Sequence, residues 1–74
     1  MSLQEILEEN GLSKLFPRLQ QNYYDLDILR EVVRNNDTYM KELIKGTCNI
    51  NPCDMEKLEK ALILFDELHF AAFT

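Results

Sequence analysis

The sequence predicts an all-α fold, a five-helix bundle of four short helices and one long C-terminal helix. Three observations predict it. Glycine and proline are scarce, two of each in 74 residues, which leaves few of the tight turns that many short strands require. Apolar residues recur every three or four positions in successive segments, and no segment alternates with the period of two that marks a half-buried strand. Helix-start and helix-stop residues separate those segments.

Each element follows from its own residues. Ser2-Leu3-Gln4-Glu5 has the form of a capping box, and Leu3, Ile6 and Leu7 continue at helical spacing. Asn10-Gly11 stops this first helix, because glycine accepts the left-handed conformation that ends one. Ser13 starts a second helix with Leu15, Phe16 and Leu19 inward, Pro17 in its first turn and Gln20-Gln21-Asn22 at its end. Asp25 caps a short third helix carrying Leu26, Leu29, Val32 and Val33. After the turn Arg34-Asn35-Asn36-Asp37, a fourth helix runs from Thr38 to about Ile44 and packs Met40, Leu43 and Ile44. A loop is expected from Lys45 to Ile50. Asn51-Pro52-Cys53-Asp54 is the clearest helix start, with Asn at the cap, Pro in the first helical position and an acid in the first turn. The fifth helix is expected to reach the region of Phe70, with Met55, Leu58, Ala61, Leu62, Phe65, Leu68 and His69 in one apolar stripe. The core is expected on Leu7, Phe16, Leu19, Leu29, Val33, Leu43, Leu58, Leu62 and Phe65.

Size and charge narrow the function. Seventy-four residues make a single domain over 1–74, without the bulk for a deep substrate cleft. Apolar residues are 46% and charged ones 28%, the balance of a folded chain. Thirteen acids against eight bases give a net charge of -5. Nucleic acids and anionic membranes select for clustered Lys and Arg, whereas the bases here are scattered, so neither is expected as a partner. No apolar run approaches the ~20 residues of a membrane span. The chain is expected to be one piece of a longer intracellular, cytoplasmic protein.

Catalytic chemistry finds no constellation. His69 is the one histidine, and a nucleophile needs a base held against it. Glu8-Glu9 and Asp66-Glu67 are adjacent in sequence, point apart on a helix and are expected to be solvated charge. Both glycines are isolated, so no phosphate-cradling loop exists. Cys48 and Cys53 fall short of the about four ligands a zinc site needs and are expected as free thiols. No enzyme activity, cofactor, metal or small-molecule substrate is therefore expected. Tyr23, Tyr24 and Tyr39 have acids nearby and are candidates for phosphorylation, although at least one is expected at the core edge. The tail His69-Phe70-Ala71-Ala72-Phe73 has no evident place in a five-helix core.

Four segments, in order and spacing, carry a family resemblance: Gly11-Leu12-Ser13-Lys14-Leu15-Phe16, Asp25-Leu26-Asp27-Ile28-Leu29, Met40-Lys41-Glu42-Leu43 and Lys57-Leu58-Glu59-Lys60-Ala61-Leu62. Over nearly its whole length the chain resembles a sterile alpha motif (SAM) domain. It departs from that family in lacking the first-helix Trp, the Gly-Ile after the fourth helix and the basic residue that often opens the last. The resemblance implies an interaction module used in signalling and scaffolding, which binds another SAM domain or itself through two surfaces. Carried over by position, the acidic mid-loop surface comprises Asp25, Asp27, Glu31, Asp37 and Glu42. The end-helix surface comprises Asn51, Cys53, Met55, Lys57 and Lys60. Asp54 and Glu56 beside the lysines weaken complementarity between the two, which favours a different protein partner over filaments. A death-fold adaptor module would require a sixth helix, and a structural helical dimerisation domain would use the apolar tail.

Overall fold

Side-chain caps place the helix starts. In the computed structural model, which describes the backbone of residues 2–72 and the side chains of residues 2–68, α1 spans Leu3–Glu9. Glu5 N–H donates to Ser2 Oγ at 3.3 Å and Ser2 N–H returns to Glu5 Oε1 at 3.2 Å, completing the capping box. A single 3-10 turn, Ser13–Leu15, leads into α2 (Phe16–Gln21), which has Pro17 in its first turn and no side-chain cap. Asp25 caps α3 (Leu26–Arg34) and Asp37 caps α4 (Thr38–Thr47). Asn51 caps α5 (Pro52–Ala72) by accepting from Asp54 N–H at 2.8 Å. Among the described residues there is no strand.

The helix ends share one geometry. The residue after the C-cap is left-handed at Gly11 (φ 69°), Tyr23 (62°), Asn36 (50°) and Asn49 (53°). The next N–H then reaches back along the helix: Leu12 to Leu7 O (2.7 Å), Tyr24 to Leu19 O (3.0 Å), Asp37 to Val32 O (3.0 Å) and Ile50 to Lys45 O (2.9 Å). These bonds satisfy carbonyls that the helix itself leaves open. Glycine and asparagine suit the conformation; tyrosine does not.

The apolar faces so oriented close on α5. The main cluster joins Leu7, Leu12, Leu15, Leu19, Leu29, Ile44, Cys48, Leu58 and Leu62, among others. A smaller one joins Ile6, Ala61 and Phe65, and half-buried Leu26 packs against both. Of the expected core, Leu7, Leu19, Leu29, Leu58, Leu62 and Phe65 are buried, and Phe16 and Val33 are half-buried. Leu43 is not core: it is 42% exposed, while Ile44 is fully buried. Met40, Ile44 and Cys48 share the inward line of α4 at i, i+4 and i+8, so Leu43 is turned about 100° away. Leu68 also leaves the expected stripe, at 63% exposure. It sits beside the Glu9-Asn10 end of α1, where that helix has finished and, among the described residues, no further layer covers it. The expected loop from Lys45 to Ile50 is shorter than its sequence suggested, because α4 continues to Thr47 and leaves only residues 48–51 before α5. The side chains of His69, Phe70, Ala71 and Ala72, and all of Phe73, lie outside the described residues.

Candidate protein-interaction surface

The acids assigned to the mid-loop surface sit where helix starts need them. Asp25 Oδ1 accepts from Ile28 N–H at 2.9 Å, and Asp37 Oδ1 accepts from Met40 N–H at 3.1 Å. Asp27 falls in the first turn of α3, where the helix dipole favours a negative charge. Glu31 follows one turn later. All four are exposed. Glu42 is exposed as well. It pairs with Lys45 at 3.0 Å and lines a shallow groove of about 210 Å³ between α4 and the start of α5, opposite Met55 and Glu56.

The end-helix residues hold together less well. Asn51 both caps α5 and donates Nδ2–H to Asp54 Oδ2 at 3.1 Å, and Lys14 Nζ meets the same oxygen at 2.9 Å. Asp54 is thereby buried against the start of the long helix. The Lys14 hydrogen bond holds its carboxyl below the usual carboxylate range, against the opposing effect of burial. Met55, assigned to this surface, is only 7% exposed and belongs to the main core cluster. Its spacing of three from Leu58 and seven from Leu62 puts it on the inner face, as its place in the apolar stripe implied. Cys53 and Lys57 are exposed. Lys60 is exposed but pairs with Glu56 at 3.2 Å.

Sequence reasoning missed the groups that unite the helices electrostatically. Asp66, expected as solvated charge, is half-buried and accepts from Arg30 Nε at 2.6 Å and from Arg34 Nη2 at 3.2 Å. Burial pushes the Asp66 carboxyl up, but the two guanidinium groups outweigh it and leave it below the usual range. Arginines at i and i+4 of α3 were the available signal. Around Cys48, Asn22 Nδ2–H donates to Cys48 Sγ (3.7 Å), the Cys48 thiol donates to Arg18 O (3.6 Å), and Arg18 Nη1–H donates to Asn49 O (3.0 Å).

Of the tyrosines, Tyr24 is half-buried against the core, whereas Tyr23 is 86% and Tyr39 75% exposed. Among the described residues no group of three His, Cys, Asp or Glu side chains converges as a metal site would, and no helix is long and apolar enough to cross a membrane. Comparison with protein-family models, curated proteins and solved structures returned no match to this chain.

Proposed function

We propose that this chain is a non-catalytic protein-interaction module of the SAM type, within a larger intracellular protein, that binds a basic partner through the acids of α3 and its flanking turns. The division of charge carries this reading. Six of the eight bases, Lys14, Arg30, Arg34, Lys41, Lys45 and Lys60, are held in ion pairs with Asp54, Asp66, Glu59, Glu42 and Glu56. Among the described residues Asp25, Asp27, Glu31 and Asp37 have no such partner, so these exposed carboxylates stand open to a basic partner, beside Arg30 and Arg34, which share the one carboxylate of Asp66. A face of one sign speeds encounter and selects the partner more than it adds affinity. At the start of α5, Asp54 and Glu56 offset the lysines, which supports association with a different protein over head-to-tail self-assembly.

A second reading has its own observation. Ile63, Leu64 and Leu68 are 46%, 56% and 63% exposed along α5, a face that a closed dimer would cover.

A synthetic peptide array graded in net charge tests the first reading. Basic peptides bind, binding weakens as salt screens exposed charges over ~8–10 Å, and Asp27→Lys reduces it without loss of helix content. Unchanged binding by Asp27→Lys together with Glu31→Lys rejects the acidic surface. Sedimentation over a concentration series separates the second reading, which requires a closed dimer.

A further inference from the structure

We propose that the open cleft between the start of α1, the end of α2 and the start of α3 docks a partner segment that places one apolar side chain beside a lysine or arginine. This rests on the interaction-module reading and names the shape of its ligand. The cleft holds about 480 Å³, within the range of sites that enclose a small ligand or an anchoring side chain. Leu3, Phe16, Tyr24 and Leu26 form its apolar wall, Tyr23 stands on its rim, and Asp25 supplies an acid. No lysine or arginine lines it among the described residues. One Asp25 oxygen is committed to Ile28 N–H, but among the described residues the carboxylate has no ion pair, and its charge is open to a cation from outside. An apolar wall ending in an unneutralised acid complements an apolar side chain adjoining a basic one.

Tyr23 is the observation that singles out this cleft. The four helix endings have the same hydrogen-bonded turn, and three of them use the residues that tolerate it, Gly11, Asn36 and Asn49. The fourth holds a bulky aromatic at φ 62°, where Cβ meets the neighbouring carbonyl. The ring gives little back to the core, since the residue is 86% exposed. A side chain held outward in a strained conformation, beside an apolar cleft, matches a contact made on binding rather than on folding.

Substitutions separate the two roles. Tyr23→Gly relieves the strain, so it melts above the wild type. On a peptide array graded in charge and in the presence of a Leu or Phe next to Lys, it binds the apolar-basic peptides about tenfold more weakly. Asp25→Asn keeps the helix cap, since Asn and Asp cap equally well, holds the melting temperature and reduces the salt-dependent part of binding. Bound peptide shifts the amide resonances of Leu3, Tyr24 and Leu26. Wild-type binding by Tyr23→Gly, or shifts confined to α4 and α5, overturns the cleft. In that event the acidic-surface reading still stands if basic peptides without an apolar residue bind and lose binding with Asp27→Lys. Absence of binding by every peptide rejects both. Concentration-dependent shifts of the same amides without peptide would make the occupant a second copy, which also overturns the proposal.

Discussion

Arg30 lies over the ring of Phe65, its guanidinium carbon 5.1 Å from the ring centroid, while its Nε–H donates to the adjacent Asp66 at 2.6 Å. One cation thus engages an aromatic face and a carboxylate together, and it ties α3 to α5 where the small core cluster meets solvent.

That arrangement predicts an acid-side signature. The Asp66 carboxyl is lowered from its ordinary 3.8, so the folded state holds the charged form more strongly than the unfolded chain does. Its stabilisation is complete above the unfolded value and is lost as pH falls through the lower folded value. With side chains about a quarter exposed at Arg30 and Asp66, the pair contributes about 1 kcal/mol at neutral pH after allowance for solvent screening. Asp66→Asn is expected to melt ~4–8 °C lower at pH 7, with the two melting curves converging as pH drops below 3.8. Glu5 and Asp54 are also lowered, so the variant retains part of the wild-type acid sensitivity. A difference that stays constant down to acid pH contradicts the assignment.

Two leucines on neighbouring helices are expected to behave oppositely. Leu62 is 2% exposed at the centre of the main cluster, and Leu62→Ala costs about 2–5 kcal/mol through lost contacts and the cavity left behind. A chain of this length has only ~4–11 kcal/mol of stability to lose. Leu43→Ala, at an exposed position, changes stability by less than ~1 kcal/mol. Urea unfolding of both variants measures the difference, and equal midpoints refute the phase given to α4.

The thiols differ in reach and in reactivity. Cys53 is exposed, whereas Cys48 is 2% exposed and burial raises its thiol above the ordinary value. Iodoacetamide at neutral pH is expected to add one carbamidomethyl group to the folded chain and two after denaturation, as read by intact mass. Two additions at equal rates in the folded state contradict the burial of Cys48.

Caps were the most legible feature of the sequence, because each depends on a few adjacent residues. Ser2 with Glu5, Asp25, Asp37 and Asn51 all start the helices that their chemistry implied. Gly11 was legible as a stop for the same reason. The phase of a short helix was less so. Leu43 and Ile44 are equally apolar neighbours, and only the packing of α4 within the bundle decides which turns inward. Met55 illustrates the same point at the interaction surface, where position by resemblance put it outside and its three-residue spacing from Leu58 put it inside. Asp66 was opaque because its partners lie more than thirty residues away, at Arg30 and Arg34. Tyr23 was hidden because nothing in a tyrosine announces a left-handed backbone.

The turn that ends α1 also governs how the chain ages. Asn10-Gly11 is the dipeptide most prone to deamidation, in which the glycine backbone nitrogen attacks the asparagine side-chain carbonyl carbon and expels the side-chain nitrogen as ammonia, leaving a succinimide. Here Asn10 Nδ2–H is held on Ile6 O at 2.8 Å, and the Gly11 N–H is turned back to Glu8 O at 3.3 Å, so neither group is set for ring closure. Succinimide formation must await the opening of that last turn, and its rate follows the population of the opened state. Isoaspartate at residue 10 therefore accumulates in step with any variant that loosens α1.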